Sequence, residues 1–120
     1  MSEITLNLKM ACANGFLLTR DDPGTINVDQ TAALSSAGAQ TIATNATSLN
    51  MGSVATAGYA YMRNVSTANF IEIGTGTGTS FVAFSKLSYG EAQVVRLGTN
   101  APTAKANTAA GTLQYTILSA

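Results

Sequence analysis

Apolar and polar residues alternate along much of the chain with a period of two, the period of a strand that buries one face. The clearest case comes first: Ile4, Leu6, Leu8 and Met10 fall on one face, Thr5, Asn7 and Lys9 on the other. Asn14-Gly15 follows as a turn signal, and Phe16, Leu17, Leu18 and Thr19 form a short strand candidate. Asp21-Asp22-Pro23-Gly24 predicts a tight turn, because Pro presets one backbone angle and Gly accepts positive φ. Ile26 and Val28 then resume the alternation.

The pattern is weakest between residues 31 and 46. Ser and Gly there disfavour a long helix, so the expectation is mostly loop with a short strand over residues 40–43. Residues 47–51 predict a brief strand, and residues 53–58 a small-residue connector. Beyond residue 58 the pattern sharpens. Residues 59–65 and 69–73 carry aromatic and apolar strand formers, and the short spacer Ser66-Thr67-Ala68 predicts that they pair as a hairpin. The Gly/Thr alternation over residues 74–79 turns the chain, and residues 80–87 run back. Ser88-Tyr89-Gly90-Glu91 makes the next turn before a strand over residues 92–97. Asn100-Ala101-Pro102 breaks the chain ahead of residues 103–106, and residues 111–118 close it with Leu113, Tyr115 and Ile117 on one face. About eight short antiparallel strands at this spacing, with no helix, predict an all-β, single-domain β-sandwich or jelly-roll over residues 1–120. Residues 1–10 would serve as an N-terminal arm or edge strand. No internal repeat or heptad pattern argues for a fibre shaft or coiled coil.

Composition adds a bias toward assembly. A chain of 120 residues buries about two thirds of its extended surface, enough for a modest core without metal or disulfides. Apolar residues make up 46% and aromatics 7%, much of the former being Ala, so the core should be broad and thin. Only 10% of residues are charged and the formal net charge is zero, against about 25% charged in an ordinary domain. Low charge density near neutrality favours association. The plainer reading is a Thr-rich monomer kept in solution by its hydroxyls. A neutral chain without basic clusters does not neutralise many phosphates, which argues against nucleic-acid binding. No basic region followed by an apolar stretch opens the sequence and no apolar run matches a bilayer's thickness, so neither signal peptide nor membrane is expected.

Little in the chain points to chemistry. With no histidine, the commonest general base and metal ligand is missing. Ser85 and Lys86 are adjacent, and on a strand they point to opposite faces. Asp21 and Asp22 fall in the expected turn, where Asp bonds its own backbone; a calcium site there with Asp29 is the competing reading. Cys12, the single cysteine, fits a packed thiol better than a nucleophile. The Gly-rich run at residues 74–78 lacks the following helix and Lys of a phosphate loop, and is expected as a hairpin tip with exposed hydroxyls. Asn45 and Asn64 match glycosylation acceptor triplets, which carry no weight without a secretory leader. Tyr59, Tyr61, Phe70, Phe81 and Phe84 are expected in the core rather than as a sugar platform. The expectation is therefore no catalytic, cofactor or metal site, no small-molecule substrate, and no enzyme.

The run from Gly58 through Asn64, residues 69–74, residues 81–87 followed by Gly90-Glu91, and the closing residues 104–110 and 113–118 resemble small structural proteins of tailed bacteriophages and prophages. The resemblance covers residues 52–118. It implies a virion component made in the host cytoplasm and carried on the capsid surface: a head decoration, or cement, protein with a jelly-roll fold. Its implied partners are the major capsid protein and copies of itself, as a homotrimer. The alternative is a tail or baseplate component, or a receptor-binding fibre part. Candidate contact residues are Ile4, Leu6 and Leu8 on the N-terminal strand and Thr75 and Thr77 on the Gly/Thr loop; the stretch 31–39 is a further contact loop.

Overall fold

The computed structural model describes residues 2–12, 18–20, 24–30, 34–98 and 100–119. The strand expected at Phe16 and Leu17, the Asn14-Gly15 and Asp21-Asp22-Pro23 turns with the calcium reading built on them, and the packing of Cys12 lie outside this description. The described residues are all-β apart from one short turn of 3₁₀-helix at Gly78–Ser80. The chain divides into two compact units, Met1–Thr31 and Ala32–Ala120.

The first unit is a ribbon. Strand β1 (Ser2–Asn7) pairs antiparallel with β4 (Thr25–Asp29), and β2 (Met10–Cys12) pairs with β3 (Leu18–Arg20). Between the two ladders the Leu8 amide donates to the Gly24 carbonyl at 3.1 Å. The register sets like against like. Ile4 faces Val28 and Leu6 faces Ile26, while Thr5 faces Asn27 and Asn7 faces Thr25. On the polar face the Thr25 hydroxyl donates to Asn7 Oδ1 at 2.7 Å and the Thr5 hydroxyl to Asn27 Oδ1 at 3.2 Å. Such opposed pairs are the unit of sheet stabilisation.

Among its described residues the second unit holds eight strands: β5 (Ser35–Ile42), β6 (Thr47–Ser48), β7 (Ala57–Asn64), β8 (Ile71–Thr75), β9 (Val82–Leu87), β10 (Ala92–Arg96), β11 (Thr103–Ala106) and β12 (Gly111–Ser119). They form two four-stranded antiparallel sheets, ordered β10-β7-β12-β5 and β6-β11-β8-β9. The pairing is nested: first with last, second with seventh, third with sixth, fourth with fifth. A long antiparallel hairpin wrapped into two layers gives this connectivity, which is that of a jelly roll.

Period-two alternation places the core. In β12, Leu113, Tyr115 and Ile117 point inward beside Met62 and Ala60 of β7; Ile71 and Ile73 of β8, Leu87 of β9 and Ala104 and Ala106 of β11 complete one cluster with Ile42. The inward rows run Val95-Ala60-Ile117 across one sheet and Ala106-Ile71-Leu87 across the other. Gly74 marks a close approach: a Cβ there would run into the Val82 carbonyl oxygen across the β8–β9 pair. At the same place the register slips, leaving Phe84 as the extra residue of a bulge in β9.

Three expectations are corrected. Residues 35–39 are not loop: they belong to an eight-residue strand that β12 pairs along its whole length, and that ladder overrides the weak intrinsic preference of Ser, Ala and Gly. Residues 59–65 and 69–73 do not form a hairpin: β7 and β8 lie in different sheets, and residues 65–70 cross between them. The aromatic set is not core. Phe84 and Tyr61 are exposed, Tyr59, Phe70 and Phe81 are half-buried, and among the described residues Tyr115 is the buried aromatic. The interior is aliphatic because β7 turns Ala60 and Met62 inward, which puts Tyr59 and Tyr61 on the other face.

Candidate functional site

The five candidate contact residues divide between the units. On the ribbon, Ile4 is buried at 4% exposure, Leu6 is half-buried and Leu8 is 43% exposed. Met10 continues the same parity at 66% exposed. The ribbon therefore presents an apolar stripe that becomes more exposed along β1 and into β2. A two-stranded element of this size is marginal in water by itself.

Thr75 ends β8 and Thr77 precedes the 3₁₀ turn, and both are exposed. The tip is ordered by its own bonds rather than open: the Ser80 hydroxyl and amide donate to the Thr77 carbonyl at 2.7 and 3.1 Å. Gly76 and Gly78 adopt positive φ, which the reversal requires. Thr75 also borders a cleft of about 260 Å³, with Phe84, Val95, Leu97 and Pro102 as its apolar walls and Arg96 at its side. Arg96 lies 5.0 Å from the centroid of the Tyr59 ring, a cation–π distance. The lining contains no carboxylate. Among the described residues no three His, Cys, Asp or Glu side chains gather as metal ligands would.

Asn64, which carries an acceptor triplet in the sequence, has a structural part. It is fully buried, and its Nδ2 donates to the Asn69 carbonyl at 2.8 Å and the Leu87 carbonyl at 2.9 Å. Its Oδ1 accepts from the Ser66 amide at 2.9 Å, and its backbone meets Glu91 and Gly90. One side chain thus fixes the crossover from β7 to β8 and the end of β9. Lys86, on the outer face of β9, lies 4.2 Å from the Phe70 ring centroid, whereas Ser85 turns inward and donates to Gln93 Oε1. The alternation expected for Ser85 and Lys86 holds, and the Ser85–Gln93 bond joins edge strands β9 and β10.

The stretch 31–39, expected as a contact loop, contributes residues 35–39 to strand β5, and the sequence did not show that they form the outer edge of a sheet. The only signal of that edge is an absence: from residue 30 to residue 62, between Asp29 and Arg63, no residue is charged.

The molecule thus defines a jelly-roll sandwich and a two-stranded ribbon carrying an apolar stripe. Comparison with protein-family models, with curated proteins and with solved structures finds no match to this chain. No helix among the described residues is long and apolar enough to cross a membrane.

Proposed function

We propose that this chain is a virion structural protein, a cement subunit that lies on a phage head and bridges neighbouring capsid proteins. The observation that carries the reading is the ribbon, whose apolar stripe runs out to exposed Leu8 and Met10 on a chain with 10% charged residues. Jelly rolls build viral shells, lectins and cupins alike, so the fold alone supports no single function. The low charge and the apolar ribbon favour assembly among these. A cement protein works through weak contacts repeated by symmetry, so that avidity supplies what no one contact does. The ribbon is the element that reaches the capsid protein, and the Thr75–Thr77 loop with its cleft is a second contact.

The test is a cryo-EM reconstruction of the native particle with this chain located in the density. Density over junctions between capsid subunits, in copy number comparable to the shell protein, is the expected result. Density confined to the tail moves the chain to adsorption or tail assembly, and absence from the particle overturns the virion reading.

A further inference from the structure

Four strands border the two sheets of the sandwich, and three of them carry devices that discourage pairing with another chain. Strand β6 is two residues long. Strand β9 is bulged at Phe84 and carries Lys86. Strand β10 is five residues long and ends in the cation Arg96. Strand β5 differs. It is eight residues long, has no charge and no proline, and runs against β12 without a register shift. Among the described residues its other side has no ladder partner. Backbone N–H and C=O groups are obligatory hydrogen-bonding groups, and a regular row of them is a template for a further strand.

The edge is also held in place. On its inner face the Ser36 hydroxyl donates to the Asn50 carbonyl at 3.1 Å. Gln40 Nε2 donates to the Ser48 carbonyl at 3.3 Å, and Gln40 Oε1 accepts from the Asn50 amide at 3.0 Å. On the outer face Ser35, Ala37, Ala39 and Thr41 are exposed and small. At the centre Gly38, at φ 155°, has no atom within 4 Å of where a Cβ would be. That space lies off the inner face, on the parity of Ser36 and Gln40, so Gly38 adds no side chain to the exposed row of small residues.

We propose that β5 is a self-recognition edge, which pairs antiparallel with β5 of a second copy about a two-fold axis through Gly38. The two sheets then join in the order β10-β7-β12-β5-β5-β12-β7-β10. A perpendicular two-fold keeps faces matched, so Ala37 lies opposite Ala39 of the other copy and Ser35 opposite its Thr41. An uncharged strand of small residues meets itself without like-charge repulsion, and Ser–Thr pairs are favourable cross-strand neighbours. The other edge of this sheet, β10, fits β5 less well: it is shorter and would set Arg96 against a strand without a carboxylate. The contact is two-fold, so it takes the place of the trimer that the phage resemblance implies. It stands on the sheet edge alone and not on the virion reading.

Sedimentation velocity on the full chain tests it without any particle. The wild-type protein should populate a dimer, and A37K/A39K should weaken that dimer about tenfold or more, since each new lysine faces another across the axis. Both positions are exposed, and an unchanged circular dichroism spectrum checks that the fold is kept. A37K/A39E should restore the dimer, because each introduced lysine then faces an introduced glutamate of the other copy. Wild-type protein that stays monomeric up to about 1 mM, or a dimer that A37K/A39K leaves intact, overturns the proposal. A charge-swapped variant that stays as weak as A37K/A39K overturns the two-fold register through Gly38.

Discussion

The ribbon and strand β12 show the same alternation in sequence, yet they differ in what the alternation achieves. In β12 every second side chain from Gly111 to Ser119 is buried, because β7 and β5 flank it and the second sheet covers its inner face. Among the described residues each ribbon strand has one ladder partner, and exposure along the apolar parity rises from Ile4 to Met10. Period two thus announces which face is apolar. Burial depends on how many neighbours and layers the topology supplies.

Hydrogen exchange is the sharpest way to break this comparison. Amides of β12 open only through the largest unfolding event of the sandwich, while those of a two-stranded element open locally. The expected difference in protection between β12 and β2–β3 is at least about a thousandfold, given ordinary domain stabilities. Equal protection would remove the distinction between the units.

Next in size is a cavity in the sandwich. Ile73 is fully buried in the cluster that joins the sheets. Ile73→Ala should cost about 3–4 kcal/mol and lower the melting midpoint by roughly 15–25 °C. A loss below about 1 kcal/mol would mean that the two sheets do not close on one core.

Asn64→Ala comes third. It leaves the Asn69 and Leu87 carbonyls and the Ser66 amide without the partner they now have. The expected loss is about 2–3 kcal/mol by equilibrium denaturation, the cost of orphaned polar groups in a buried site. Asn64→Asp should not rescue it, since a carboxylate accepts where the Asn69 and Leu87 carbonyls need a donor. Rescue by Asp would show that the crossover is held by something other than this side chain.

These residues also show where sequence reasoning worked and where it stopped. Leu113, Tyr115 and Ile117 were legible because a strand with a polar and an apolar face has one way to turn. Strand β5 was not legible, since Ser, Ala and Gly hold no strand preference of their own and the order comes from the β12 ladder. The link between β7 and β8 had the length of a hairpin, and sequential strands pair often enough to make that the natural expectation. The crossover is tied down by the buried Asn64 amide, whose acceptor triplet in the sequence carried no weight. In β7 both parities are apolar, Tyr59 and Tyr61 against Ala60 and Met62, so pattern alone did not choose the inward pair. Space did, with Ala60 set between Val95 and Ile117. Of the candidate contacts, Leu8, Thr75 and Thr77 were legible as exposed positions, whereas the burial of Ile4 was not.

The smallest expected effect on stability carries the most functional meaning. Leu8 and Met10 are exposed, so Leu8→Ser with Met10→Ser should shift unfolding by no more than about 0.5 kcal/mol per site, as exposed substitutions do. If the stripe is the surface that meets a capsid protein, the same double variant should bind particles stripped of this chain at least about tenfold more weakly, because burying each side chain against a partner gives about 1.5–3 kcal/mol. The two readouts separate the causes. Weaker attachment at unchanged stability assigns the stripe to the interface. A stability loss comparable with that of Ile73→Ala would instead make Leu8 and Met10 part of the chain's own packing, and the difference between ribbon and sandwich would shrink to one of layer number alone.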